Sequence, residues 1–228
     1  MSPEAVAFVS DLVGKLTPSE ETAALQAFYR GLQEQFGAYL RYADLNTVLW
    51  GAATLIKPKS YLEIGVRRGR SAAVVAALRP DCAIHGFDLW QEVYFADPNL
   101  GPDFVRDELR RAGHRGAVEL VSGSSAETVP AFLREHPDLY FDIVTIDGAK
   151  AFDIVASDYA NTLPRVKVGG IVITDDLAYA PALGRIWHEL VGRSGRFIAA
   201  PFSGAGGVSA AIRFADEPWQ STLRSVAD

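Results

Sequence analysis

Tyr61-Leu62-Glu63-Ile64-Gly65-Val66-Arg67-Arg68-Gly69-Arg70-Ser71-Ala72, running on through Ala and Val to Ala83-Ile84-His85-Gly86-Phe87-Asp88, is the stretch whose reading decides the fold. Tyr61 to Val66 is short, apolar and rich in β-formers, which predicts a buried parallel strand. Gly65 and Gly69 bracket a turn where a side chain would block a ligand or strain the backbone. Ser71 to Leu78 is helix-forming and stops before Pro80. Ile84 to Phe87 then reads as a second strand with Asp88 at its carboxyl end. Ligands of doubly wound sheets bind in the crevice outside those ends, where an acid about 20 positions past the glycine turn can accept hydrogen bonds from a ribose. The stretch therefore implies a nucleoside-bearing cofactor. A dinucleotide site has a glycine where this chain has Arg67, which disfavours an NAD-dependent dehydrogenase.

The pattern Glu63-x-Gly65-x-x-x-Gly69, with Ser71 following, resembles the first motif of class I S-adenosylmethionine-dependent methyltransferases. That resemblance implies a Rossmann-like α/β fold: a seven-stranded, mostly parallel sheet in the order 3-2-1-4-5-7-6 with helices on both faces.

The chain has 228 residues, 49% of them hydrophobic and 22% charged, enough for one α/β domain with a sizeable core. A net charge of -6 argues against nonspecific nucleic-acid binding. The single Cys82 excludes an internal disulfide and a cysteine metal cluster. With neither a basic-then-apolar leader nor an apolar run long enough to span a bilayer, a cytoplasmic protein free of the membrane is expected.

Residues 1–57 read as a helical extension ahead of a cofactor-binding domain over 58–228. Thr17-Pro18-Ser19-Glu20-Glu21 is a helix start, and Leu45 to Ile56 forms another helix, broken by Lys57-Pro58-Lys59. Leu25, Phe28, Tyr29, Leu32, Phe36, Tyr39 and Leu40 follow at helical spacing. That stripe fits packing against the domain, a lid over substrate, or a homodimer contact.

After Asp88, the segment from Leu89 to Gly101 is richer in apolar residues, notably Trp90, Tyr94 and Phe95, than a plain connection. It should lie over the crevice, with Leu89 and Trp90 nearest the cofactor, and either pack on adenine or substrate or serve as ordinary covering of the core. A helix over 102–113 with Phe104, Val105 and Leu109 on one face comes next, then a strand from Val118 to Val121. Ser124, Ser125 and Ala126 follow; Ser125 can cap the helix running to Glu135, and the resemblance implies that this loop supports the adenine ring.

Phe141 to Ile146 reads as a fourth strand, ending in Asp147-Gly148-Ala149-Lys150. A helix over 152–163 and a turn at Val168-Gly169-Gly170 lead to a fifth strand, Ile171 to Thr174, ending in Asp175-Asp176. Successive parallel strands are usually neighbours, so the three acids should converge at adjacent strand ends. Two such charges about 4 Å apart repel by about 4 kcal/mol at an effective dielectric near 20. Either a hard cation such as Mg²⁺ bound by Asp147, Asp175 and Asp176 relieves that repulsion, or a proton stays on one acid, or the side chains splay into water.

Asp147-x-x-Lys150 followed by the Asp175-Asp176 pair also resembles the catechol O-methyltransferase group, and the segment after Asp88 is similar to macrocin-type sugar O-methyltransferases. The resemblance implies a metal held by Asp147, Asp175 and Asp176, with Lys150 as general base and Asp147 beside it. Glu63, Gly65, Ser71 and Asp88 fall on that group's cofactor positions, and Arg67, Gly69 and Asp147 are expected to contact the cofactor beside them. Asp176 stands where that group has Asn, and Ala149 where it commonly has an aromatic residue. The expected reaction is methyl transfer to a hydroxyl of a small molecule, with metal-independent transfer or a nonenzymatic cofactor-binding protein as alternatives. Lys150 could serve as base if nearby positive charge lowered its pKa.

Toward the C-terminus, Pro181 to Val191 reads as a helix with Leu183, Ile186, Trp187 and Leu190 inward. Strands at Phe197 to Phe202 and Val208 to Phe214 flank Gly204-Ala205-Gly206-Gly207 and close the sheet as a hairpin, before a polar tail from Asp216.

Overall fold

The computed structural model describes residues 1–91, 98, 100–178, 181–202 and 207–213. The tips of two expected loops, with Tyr94, Phe95 and Gly204 to Gly206, lie outside the described residues, as do Phe214 and the tail. Among the described residues, seven strands form one sheet in the order β3-β2-β1-β4-β5-β7-β6, as the resemblance implied. They are β1 (Ser60–Ile64), β2 (Ala83–Asp88), β3 (Val118–Ser122), β4 (Phe141–Ile146), β5 (Val166–Thr174), β6 (Phe197–Pro201) and β7 (Ser209–Arg213). The first five run parallel; β7 is antiparallel to both β5 and β6.

Period-two alternation along the strands divides the core between two faces. Tyr61, Ile143, Ile171 and Ile173 face one cluster, and Leu62, Val144, Ile146 and Val172 face the other. The first cluster is closed by α1 (Pro3–Val13), α2 (Glu20–Phe36), α3 (Leu45–Ile56), α4 (Arg70–Leu78) and α5 (Gly101–Arg111). The second is closed by α6 (Ser125–Glu135), α7 (Phe152–Thr162) and α8 (Pro181–Trp187), which continues as a π-helical turn, His188–Gly192. Leu183, Ile186, Trp187 and Leu190 are all buried, and His188 is exposed.

Two elements differ from the sequence reading. The expected turn at Val168-Gly169-Gly170 lies inside β5, which begins at Val166. The β4–β5 register shifts between Phe141 and Ile143, so the glycines form an irregularity in a continuous strand. Lys167 beside them pairs with Asp142 at 2.9 Å and holds the strand to β4. The second difference is that Ser125 is the first residue of α6 and Ser124 is its N-cap, without a side-chain cap bond.

Capping boxes start two N-terminal helices: Ser19 with Thr22 on α2, and Asp44 with Thr47 on α3. Of the aromatic stripe, Tyr29 and Leu40 are buried and Leu25 and Leu32 partly so, whereas Phe28 and Phe36 are exposed and Tyr39 is 88% exposed. The extension is fastened from its loop as well. Buried Glu108 on α5 accepts from Thr17 N at 2.8 Å and from Thr17 Oγ1 at 2.5 Å. Glu108→Ala leaves those donors unpaired and should cost about 1–3 kcal/mol, read as a shift in the urea midpoint at unchanged slope.

Among the described residues, no helix is long and apolar enough to cross a membrane.

Candidate active site

The carboxyl ends of β1, β2, β4 and β5 open into a cavity of about 560 Å³. Its floor is the turn between β1 and α4. Gly65 leaves the strand at φ 89°, Arg67 follows at φ 52°, and Gly69 caps α4 at φ 74°. Asp88, at the end of β2, pins this turn: it accepts from Arg67 N at 2.6 Å and from Trp90 N at 2.7 Å. Beneath the turn, fully buried Glu63 accepts a hydrogen bond from the Ser71 hydroxyl. Burial pushes the Glu63 carboxyl up to about 8, against the Ser71 bond and assisted by the charge of Asp147.

Of the expected cofactor residues, Gly65, Arg67, Ser71, Asp88, Leu89, Ser124, Ser125 and Asp147 line the cavity. Glu63 reaches it only through Ser71, while Gly69 packs against Val105. Trp90 packs on the first core cluster, and neither it nor Ala126 lines the cavity.

Asp147, Asp175 and Asp176 do converge here, from β4 and β5 as expected. Their arrangement differs from a metal centre. Lys150 Nζ stands 2.9 Å from Asp147 Oδ1 and 2.9 Å from Asp176 Oδ2, bridging the two acids. Asp175 turns to its own loop, its Oδ1 accepting from Asp176 N at 2.9 Å. Among the described residues no group of three acidic, histidine or cysteine side chains is placed to hold a metal ion. The expected ligand set therefore does not fit Mg²⁺ as arranged, because an ammonium has taken the shared position.

The charges differ from expectation too. Burial works against the Lys150 ammonium, but Asp147 and Asp176 outweigh it and hold its pKa above the ordinary value. The depression that a lysine base would need is absent from this environment. Asp147 is raised by burial, against the Lys150 charge. Asp175 is pushed up to about 7, first by burial and then by the charge of Asp147.

The cavity also has a wall that sequence reasoning missed. Asp44, Leu45 and Asn46, at the start of α3, line it opposite the domain's own residues. Tyr29 donates to Asp44 and fixes that corner. Glu21, at the start of α2, pairs with Arg67 at 2.9 Å and Arg70 at 2.5 Å, tying the extension to the glycine turn. The Asp44–Thr47 capping box was the available signal, since it marks a helix start without saying where the helix points.

Glu63 carries a stability prediction. Its folded pKa, about 8, exceeds the ordinary 4.5, so between those values the folded state holds a proton that the unfolded chain has released. Stability must then fall as pH rises through that window, by up to about 1.4 kcal/mol per pH unit for this group. Glu63→Gln should remove that contribution, visible as a shallower fall of the urea midpoint with pH than in the unsubstituted protein.

A family model described as a methyltransferase domain matches residues 62–177. A search of curated proteins gave no match. The calicheamicin methyltransferase CalS11 superposes with a TM-score of 0.60 at 20% identity, covering 93% of this chain and 92% of its own. The O-methyltransferase TomG from Streptomyces achromogenes, involved in tomaymycin synthesis and solved with S-adenosylmethionine, gives 0.59 at 19% identity over 88% and 92%. A putative O-methyltransferase from Klebsiella pneumoniae gives 0.60 at 21% identity over 92% and 97%. At these identities the likeness is one of fold.

Proposed function

Because the chain belongs to the methyltransferase-domain family, we propose that it transfers a methyl group from S-adenosylmethionine to a hydroxyl of a small molecule. The observation that carries this reading is the Asp147–Lys150–Asp176 cluster, which shares one cavity with the Gly65 turn and Asp88. S-adenosylmethionine supplies an electrophilic methyl group on a positively charged sulfur. The turn from Gly65 to Ser71, backed by Glu63, holds its amino-acid end. Asp88 takes the ribose hydroxyls, and Leu89, Ser124 and Ser125, which line the same cavity, enclose the adenine.

A hydroxyl is a poor nucleophile until its proton is drawn away. Asp175, pushed up to about 7, matches the operating pH of a general base. Lys150, kept as an ammonium by its two acids, orients the acceptor oxygen and balances the charge that develops on it. The base expected at Lys150 thus moves to a carboxylate, and Lys150 keeps a catalytic role as a cation.

A divalent cation is the second reading. Three aspartates against one lysine leave the cluster rich in negative charge. The cation would have to displace Lys150 from Asp147 and Asp176.

The extension over 1–57 acts as a lid through Asp44, Leu45 and Asn46, while exposed Phe36 and Tyr39 support a homodimer contact that light scattering would detect. The net charge of -6 supports a small-molecule acceptor over nucleic acid.

Calorimetry with S-adenosylhomocysteine and NAD tests the cofactor: the former should bind and the latter should not. Methyl uptake by phenols and hydroxylated sugars, assayed with chelator and with added Mg²⁺, tests the chemistry. Turnover that survives the chelator supports the lysine reading, and turnover abolished by it supports the metal. Binding of NAD in place of S-adenosylhomocysteine would remove the proposal.

A further inference from the structure

We propose that Arg70 takes the carboxylate at the cofactor's amino-acid end, and that Glu21 of the N-terminal extension is the residue that positions it. The assignment rests on the methyl-transfer reading and names, within that site, the group that recognises one charge of the cofactor. S-adenosylmethionine carries an α-ammonium and an α-carboxylate as well as its sulfonium. A carboxylate that leaves water for a cleft must be met there by donors or by positive charge. The turn from Gly65 to Ser71 has three arginines along the cavity, Arg67, Arg68 and Arg70.

Their surroundings separate the three. Arg68 donates to Pro98 O at 2.7 Å and lies 4.7 Å over the Phe104 ring, so it is committed to the fold. Arg67 lies close enough to Asp147 for its charge to act on that carboxyl. Arg70 is the first residue of α4, with a side chain 17% exposed. Among the described residues its guanidinium bonds one group, Glu21 Oε1 at 2.5 Å, so most of its N–H donors remain for a ligand. A guanidinium fork matches a carboxylate in a bidentate way. The start of α4 adds to this, since first-turn N–H groups lack intrahelical partners and favour an anion.

Glu21 supplies the second, independent observation. It comes from α2, yet its Oε1 meets both Arg67 Nη1 at 2.9 Å and Arg70 Nη2 at 2.5 Å. One oxygen between two guanidiniums holds them together at the cavity wall and offsets their mutual repulsion. The three side chains are between 17% and 27% exposed, so salt screens these pairs less than pairs at the open surface. Glu21 is itself presented from a fixed helix start, the Ser19–Thr22 capping box of α2. An arginine already held in place loses less side-chain freedom when its ligand arrives, which favours binding. The extension and the cofactor are thereby coupled through one guanidinium, each steadying the other.

Calorimetry on the full chain with S-adenosylhomocysteine and with its decarboxylated analogue, which keeps the nucleoside and the ammonium, tests the assignment. Arg70→Gln should weaken S-adenosylhomocysteine by about tenfold or more while leaving the analogue within about twofold. Retained binding of the analogue also shows that the variant has folded with its nucleoside site intact. Arg70→Lys keeps a charge without the fork and should recover part of the loss. Glu21→Gln should weaken S-adenosylhomocysteine by about threefold or more, again sparing the analogue. Because Glu21 acts through Arg70, adding Glu21→Gln to Arg70→Gln should change affinity by no more than about twofold further. A purely structural Glu21 would instead weaken both ligands alike, and would do so in the Arg70→Gln background too. Equal losses for the two ligands, unchanged S-adenosylhomocysteine affinity in Arg70→Gln, or tighter binding in Glu21→Gln would each overturn the assignment. With S-adenosylhomocysteine still bound by the unsubstituted protein, those results leave the methyl-transfer reading standing. Failure of the unsubstituted protein to bind it would overturn both.

Discussion

Replacing Lys150 with Ala should lower kcat for methyl transfer by about 10²–10⁴-fold while changing S-adenosylhomocysteine affinity by no more than about threefold. Lys150 contributes in two ways. It is the only cation bridging Asp147 and Asp176 among the described residues, at 2.9 Å from each, so its loss leaves adjacent carboxylates without their shared partner. In the proposed mechanism it is also the group that meets the acceptor oxygen. Both contributions act on the acceptor side, which is why cofactor affinity should be spared. Positively charged S-adenosylmethionine should bind no worse than before, since the variant makes the crevice more negative. Lys150→Arg keeps the charge but alters its reach, and should recover part of the rate. The pH profile gives a separate check. If Asp175 takes the proton, turnover falls as pH drops below about 7, where that carboxyl becomes protonated. A variant turning over within about threefold of the unsubstituted protein would remove Lys150 from the chemistry. If the loss were instead reversed by Mg²⁺, the cation reading would replace the lysine one.

The features legible in the sequence were those set by local pattern. Valine and isoleucine runs marked the strands, and acids at their carboxyl ends marked the crevice, because parallel topology leaves few other places for them. What the sequence left open depended on side chains meeting across distance. Nothing in Asp147-Gly148-Ala149-Lys150 says that the lysine turns back to Asp147 and across to Asp176. That choice follows from where β4 and β5 end, and it reversed the expected shift of the lysine pKa. The glycine pair at 169–170 reads locally as a turn, yet pairing with β4 and β7 carries β5 through it. Likewise, Asp44 announces a helix start, but its place on the cavity wall depends on how α3 packs against α4 and β5.

Gly65→Ala should be severely damaging, costing about 3–5 kcal/mol of stability and most of the cofactor affinity. Two effects add. Gly65 has φ 89°, in the left-handed region that an L side chain resists by roughly 1–2 kcal/mol. The larger effect is steric. A Cβ there would lie 2.2 Å from Asp147 O, 2.5 Å from Asp147 C and 2.8 Å from Gly148 N. These are backbone atoms, and neither strand can easily yield. Gly65 N donates to Phe87 O at 2.9 Å on one side, and Asp147 N donates to Ile64 O at 2.9 Å on the other. Relief therefore requires the ends of β1 and β4 to part, which moves the glycine turn and Asp147 together. A displacement near 1 Å at a catalytic group can cost about 10²-fold in rate, so surviving folded protein should also turn over slowly. Gly169→Ala separates the two effects. Its φ is 83°, but a Cβ there meets nothing within 4 Å. That variant should lose only the backbone share, about 1–2 kcal/mol, and retain both cofactor binding and turnover. Equal destabilisation of the two variants in urea, with S-adenosylhomocysteine binding intact in both, would mean that β1 and β4 do not need this close approach to form the site.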